Sequence, residues 1–300
     1  MKLDFQPKFQ QKGWRHDPLS DNFSQSKLFG APSPITVKTL DRPLAPVLNQ
    51  LKTTRCIAYR SSTNYWYRTF RKASPDWKAH KIGQKQGRSV DNYGGNPNAT
   101  MKSDRDDGFL LVEDAHLSLE VNGVEGSGYG KWPQSLDARA VLNDDISGFI
   151  KIDNKQQDYF DSVKSALYRA YDPVTKRGAC VDIFSGWYGD WFGETITLPS
   201  SPLFGYHSIV FFNFDTTYKG EYLLSQNSWG ESVGNKGIQA WSRDVVNWEF
   251  SQGGRSLKQL AVLTPQMIAE AREQTPLGAL IRQFILIFQR FSDNYGTYGK

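Results

Sequence analysis

The sequence predicts an α+β chain of two lobes, a helical lobe followed by an antiparallel sheet. Three observations lead there. Apolar residues in the first part of the chain recur at helical spacing, whereas from Ala179 onward they fall in short glycine-bounded runs. Only two cysteines, Cys56 and Cys180, occur in 300 residues, which excludes a disulfide framework or a cysteine-rich zinc module. A hydrophobic content of 39% with 14% aromatics is enough to build a sizeable core, so a disordered or fibrous chain is excluded as well.

The elements follow in order. Residues 1–40 are polar, with Pro18, Pro32 and Pro34 and little periodicity, and read as an extended N-terminal arm. The main domain is expected over residues 41–254. A stretch without Gly or Pro begins at Cys56, and Ile57, Tyr65, Trp66 and Phe70 can share one face, so a helix is expected at about 56–71. Residues 72–107, charged and rich in Gly and Asn, read as a long loop. Helices are expected near 109–121 and 156–170, the second from the spacing of Phe160, Val163, Leu167 and Tyr171. The runs Ala179–Phe184, Ser208–Phe212 and Tyr222–Ser225 read as buried strands. Residues 255–300 return to helix signals, with Thr264-Pro265 and Thr275-Pro276 as caps followed by proline. Within this C-terminal helical extension, helix 277–291 is apolar nearly all round; such a helix is normally buried, against its own domain first and a protein partner second.

Charge and targeting signals narrow the function classes. The start MKLDFQPKFQQKGW lacks the apolar run of a signal peptide, and no stretch of 18 uncharged apolar residues exists, so no membrane span is expected. A cytoplasmic or particle-associated location follows as the expectation. The net charge of +5 is concentrated between Arg68 and Arg88, where seven basic residues face Asp76 alone. The rest of the chain mixes signs and carries no nucleic-acid fold signature, so this stretch reads as a solvated face and no nucleic-acid partner is expected. With only four histidines (His16, His80, His116, His207), a multi-histidine metal centre is not expected, nor is a cofactor.

The residues that carry chemistry are few. A thiol at a helix N-terminus sits at the positive end of the helix dipole, which favours the thiolate, and Cys56 occupies that place. Such a nucleophile needs an imidazole, a group to orient it and a donor for the oxyanion. His207 precedes an expected strand in Gly205-Tyr206-His207-Ser208, Asn227 follows another in Gln226-Asn227-Ser228-Trp229-Gly230, and Gln50 stands six residues before Cys56.

On these residues the sequence resembles the papain-like cysteine peptidases, most nearly their bacterial-type members. Asp41-Arg42, Pro46-Val47, Asn49-Gln50 and Cys56-Ile57-Ala58-Tyr59 are similar to the family's oxyanion-glutamine and nucleophile block. Gly205–Val210 is similar to its histidine strand, and Gln226–Gly230 with Gly234-Asn235-Lys236-Gly237 to its asparagine block. Gly13-Trp14-Arg15-His16-Asp17 resembles a short element upstream of the domain in bacterial-type relatives. His207 and Asn227 lie 151 and 171 residues after Cys56, a little beyond the interval of roughly 130–150 known for the family.

The resemblance implies a two-lobed papain-like domain that hydrolyses peptide bonds of a protein or peptide substrate. Cys56 would be the nucleophile, His207 its base and then the acid for the leaving amine, and Asn227 the group that holds the ring. Gln50 and the Cys56 N–H would form the oxyanion hole, and Trp229 would shield the His207–Asn227 bond. The sequence also departs from the family: Thr53-Thr54-Arg55 precedes the nucleophile in place of Cys-Gly-Ser/Ala, Ile57 replaces an aromatic, and the structural disulfides are absent. Cys180, His16, His80 and His116 read as structural, and Trp187, Tyr188, Trp191 and Phe192 as packed core. A second reading stays open, a structural or assembly subunit of a large particle such as a phage virion that retains a papain-like domain; its motives are the polar arm and the apolar tail helix.

Overall fold

A computed structural model describes residues 35–115, 132–143, 148–152, 158–217, 220–251 and 257–263. The helical lobe comprises α1 (Cys56–Thr69), α2 (Pro75–Gln86), α3 (Val90–Tyr93), α4 (Pro97–Asp106) and α5 (Ser135–Val141). The other lobe is a seven-stranded sheet of β1 (Gly148–Ile152), β2 (Val181–Tyr188), β3 (Thr195–Ile196), β4 (Leu203–Asp215), β5 (Tyr222–Gln226), β6 (Ile238–Ser242) and β7 (Leu257–Leu263). Its order is β1-β7-β2-β4-β5-β6-β3, antiparallel except for the short β3–β6 pair. The helices α6 (Tyr159–Ala170) and α7 (Arg243–Ser251) pack on the sheet. β7 lies beyond the expected domain boundary at 254, yet sits between β1 and β2.

The expected helix at 56–71 is α1, the one near 156–170 is α6, and the three expected strands are parts of β2, β4 and β5. The expected loop at 72–107 is a correction: it folds into α2, α3 and α4. Its capping residues explain why. The Ser74 hydroxyl accepts from the Trp77 N–H with Pro75 at N1, and the Asn96 side chain accepts from the N–H groups of Asn98 and Ala99 with Pro97 at N1. Gly87 closes α2 at φ 70°, a left-handed conformation that glycine adopts without strain. The arm 1–34, the helix 277–291 and His116 lie outside the described residues. At the arm's end, Leu40 is buried in the main core and exchanges hydrogen bonds with the Asn213 side chain at 2.9 and 3.0 Å.

The two faces of the central strands β2 and β4 serve different lobes. Ile183, Trp187, Ile209 and Phe211 join α6, α7 and Trp241 in the largest apolar core, whereas Phe184 packs with Ile57, Ala58 and Ile82 of the helical lobe. Tyr188, Trp191 and Phe192 also belong to that largest core or pack on it, as expected. Cys180 is buried, and burial pushes its thiol up to about 12, consistent with an inert core position.

The basic stretch between Arg68 and Arg88 is a second correction, since much of it is not a solvated face. Arg68, Lys78 and Lys81 are buried. Lys78 Nζ lies 3.3 Å from Asp104 and Lys81 Nζ 2.9 Å from Asp137, with Lys78 4.0 Å from the Phe109 ring centroid. Ion pairing with distant carboxylates and contact with rings make burial of these charges tolerable. Among the described residues no helix is long and apolar enough to cross a membrane.

Candidate active site

The site forms where the first residue of α1 meets β4. Cys56 opens α1, and the backbone N–H of Ser208, the residue after His207, donates to its thiol. Cys56 is thus brought to the residue next to His207, which lies 151 residues further along the chain. Both are buried, Cys56 to 1% and His207 to 2% exposure. Burial pushes the thiol up to about 12, against hydrogen bonds from Ser208 and Ile57 and the charge of Arg60, and it pulls the imidazole down to about 3, against the Asn227 bond. Desolvation therefore favours an uncharged thiol and imidazole; proton transfer from one to the other leaves the net charge of the pair at zero.

A chain of buried amides sets the tautomer of His207. Gln239 on β6 donates from Nε2 to the carbonyls of Trp191 (3.1 Å) and Gly193 (3.0 Å), which can only accept. Its Oε1 must therefore face Asn227, which donates from Nδ2 at 3.0 Å. That leaves Asn227 Oδ1 as an acceptor, taking the Ser228 N–H at 2.7 Å and lying 3.0 Å from His207 Nε2. His207 Nε2 must carry a proton to make this bond, so in the neutral ring Nδ1 is the unprotonated nitrogen. Trp229 stacks on the imidazole at 3.8 Å and 15°, and Trp187 meets it edge-on at 5.0 Å. Trp187 also meets Trp229 edge-on at 5.2 Å, so it packs beside the stacked pair.

Gln50 is tied into the same unit. Its N–H donates to Ser228 O (2.8 Å), its Oε1 accepts from Ser228 Oγ (2.6 Å), and its Nε2 donates to Thr53 O (2.9 Å). The segment 48–50 runs against 228–230 through the Asn49–Trp229 bridge and the Gly230 N–H to Leu48 O bond. The loop after Asn227 is held from behind: Asn227 N donates to Gly237 O at 2.9 Å, and Gly237 has φ 83°. A Cβ there would lie 2.5 Å from Val47 Cγ1, so glycine is required on both counts.

The residues that depart from the family pattern have their own partners. The Arg55 guanidinium lies 2.5 and 2.8 Å from the Asp91 carboxylate and 2.5 Å from Asp76. Burial alone would lower its pKa, but these carboxylates hold it above its ordinary value. The charge beside Cys56 is therefore compensated. The Thr54 hydroxyl reaches the carbonyls of Val90 (2.7 Å) and Asp91 (2.9 Å), so both residues fasten the turn before Cys56 to α3. A Cβ on Gly95 would come within 2.1 Å of Ile57 Cγ2, so Gly95 is pressed directly against the residue after the nucleophile.

Cys56, His207, Asn227, Gln50 and Trp229 are thus brought together. Sequence reasoning missed Gln239 and the bond from Ser228 to Gln50, and it read Trp187 only as core. Ser228 lies inside the Asn-Ser-Trp-Gly block that was already a signal; Gln239 had none, since its partners come from the distant segment 191–193. Among the described residues no group of three or more His, Cys, Asp or Glu side chains is placed to hold a metal ion.

Behind His207, Ser185 of β2 stands opposite it in the register and donates to the buried carboxyl of Glu249. Burial pushes Glu249 from 4.5 up to about 7, partly offset by the bonds from Ser185 and the Gly186 N–H. A carboxyl with a raised folded-state pKa gives stability present below pH 4.5 that is lost as pH rises through 7. Wild type is therefore expected to lose roughly 3 kcal/mol relative to Glu249→Gln between pH 4.5 and 8. Paired thermal or urea unfolding of the two proteins across that range checks it.

No protein-family model matches the chain, and no curated protein matches it. Solved structures do. Xylellain, a cysteine protease from Xylella fastidiosa, superposes with a TM-score of 0.62 at 16% identity over 85% of this chain and 98% of its own. Procathepsin B S9 from Trypanosoma congolense gives 0.56 at 12% over 85% and 86%. Bromelain from Ananas comosus gives 0.50 at 15% over 76% and 100%. At these identities the likeness establishes architecture, and it agrees with the helix-plus-sheet arrangement above: the chain has the papain-like fold.

Proposed function

We propose that this protein is a cysteine endopeptidase that hydrolyses peptide bonds through Cys56, His207 and Asn227, with Gln50 in the oxyanion hole. The observation that supports this reading is the amide chain from Gln239 through Asn227 to His207 Nε2, which orients the ring and leaves Nδ1 outside that chain, while the residue after His207 bonds the Cys56 thiol at the head of α1.

His207 takes the thiol proton as Cys56 Sγ attacks the carbonyl carbon of the substrate, forming a tetrahedral adduct whose oxyanion accepts from the Cys56 N–H and from the second Nε2–H of Gln50. Collapse breaks the C–N bond, and His207 gives its proton to the departing amine. Water, deprotonated by His207, then attacks the thioester, and Cys56 leaves as thiolate and regains its proton. Asn227 holds the ring in plane throughout, so the same nitrogen serves as base and acid.

The inhibitor E64, present in the bromelain complex, is the first probe for this protein. The expected result, read by intact and peptide mass spectrometry, is one adduct, on Cys56, with Cys180 unmodified. Unmodified Cys56 in folded protein, under conditions where the unfolded chain reacts with a general alkylating agent, would overturn the reading.

A further inference from the structure

One buried cation has no part in the mechanism so far. Arg60 lies one helical turn after Cys56 on α1 and is 2% exposed. Residues four apart share a helix face, and helical side chains lean toward the N-terminus, so Arg60 projects along the face that begins at Cys56. Its guanidinium stacks over the Phe184 ring, 4.9 Å from the centroid. Phe184 stands opposite Ser208 in the β2–β4 register, and Ser208 is the residue whose N–H reaches the Cys56 thiol. The contacts Cys56, Ser208, Phe184 and Arg60 therefore close a small ring between α1 and the sheet.

The charges around Arg60 come from three other elements. Its Nη1 pairs with Asp182 of β2 and lies 3.7 Å from Asp104 of α4, which in turn is shared with Lys78 of α2 and accepts from Ser61 Oγ at 2.8 Å. Asp182 also accepts from Asn64 Nδ2 at 2.8 Å. Among the described residues, Arg60 Nε and Nη2 are buried without a hydrogen-bond partner. Asp182 and Asp104 offset much of the Arg60 charge, so what acts at Cys56 is the remaining field of the pair in a medium of low dielectric. A helix that needed only mechanical anchoring to β2 at this position would be served as well by an apolar side chain.

We propose that Arg60 is a positioning residue for the nucleophile, a fixed positive charge beneath α1 that favours the thiolate form of Cys56. The inference rests on the catalytic reading above and adds a second source of thiolate stabilisation to the helix dipole and His207. Lowering of the Cys56 pKa by the Arg60 charge is in the same direction.

The test is the rate of Cys56 carbamidomethylation by iodoacetamide between pH 4 and 11, followed by mass spectrometry in full-length protein. Three proteins are compared: wild type, Arg60→Lys, and the paired replacement Arg60→Met with Asp182→Leu, which removes both charges at similar volume. The expected midpoint in the paired variant lies about one pH unit above wild type, a tenfold smaller thiolate fraction below the midpoint, whereas Arg60→Lys stays near wild type. Should the apolar pair fail to unfold cooperatively, Arg60→Gln with Asp182→Asn reads the same quantity with hydrogen bonds retained. A folded paired variant with the wild-type midpoint overturns the proposal, and so does Arg60→Lys shifting as far as the pair. Absence of the E64 adduct on wild-type Cys56 would instead overturn the catalytic reading, so the two failures are distinguishable.

Discussion

His207→Ala is expected to lower peptide hydrolysis by on the order of 10⁴-fold or more and to abolish the E64 adduct on Cys56. The size of the effect follows from what the imidazole does in this site. Burial makes the Cys56 thiol a poor acid, pushed up to about 12, and His207 is the group to which its proton can pass without leaving a net charge in the buried site. Alanine removes that acceptor and the later proton donor together. Asn227→Ala is expected to act through the same ring and to cost less, because the indole of Trp229 still stacks on the imidazole at 3.8 Å. Steady-state rates on a peptide substrate, with circular dichroism to show that the variants are folded, check both statements.

The largest effect on stability is expected at Asp182. Its carboxylate is wholly buried, pairs with Arg60 and accepts from Asn64, and burial still pushes it up to about 7 against the Arg60 charge. Asp182→Ala would leave Arg60 with Asp104 at 3.7 Å as its carboxylate and the Asn64 Nδ2 with a long 3.4 Å bond to the Cys180 carbonyl, at a cost of roughly 3–5 kcal/mol. Replacing the pair together, Arg60→Met with Asp182→Leu, is expected to cost far less, since removal of both charges leaves no buried ion behind. Urea unfolding of Arg60→Met, Asp182→Leu and the double variant gives the coupling directly, and a near-additive result would refute this description of the pair.

Much of the site was legible because its residues come in short blocks whose local structure and chemistry agree. Cys56 at the head of a helix, Gln50 six residues before it, His207 on a strand and Asn227 with Trp229 after another are each marked by their neighbours. What was illegible depends on pairing across the fold. Gln239 looks like an ordinary strand residue until the carbonyls of Trp191 and Gly193 are placed beside it. The basic stretch between Arg68 and Arg88 looked solvated because Asp104 and Asp137, which neutralise Lys78 and Lys81, lie well beyond it in the chain. The segment 72–107 was misread for a local reason: its Gly, Asn and charged residues suggested a loop, but Ser74-Pro75 and Asn96-Pro97 are helix starts and Gly87 a helix stop.

The fold accommodates the departures around the nucleophile without losing the site. Arg55, which would be a stray charge beside Cys56, is instead clamped by Asp91 and Asp76 and, with Thr54, fastens the nucleophile turn to α3. This places rigid backbone on both sides of Cys56: the Ser208 strand on one, and Gly95 against Ile57 on the other. A thiolate at this position would gain from a fixed positive charge nearby, and Arg60 lies one turn along α1.

The most direct measurement of the central claim is hydrolysis of a denatured protein substrate by wild type and by Cys56→Ala, with products read by mass spectrometry. Internal peptide-bond cleavage by wild type that disappears in the folded Cys56→Ala protein is the expected result. Cleavage that continues unchanged in Cys56→Ala would contradict it.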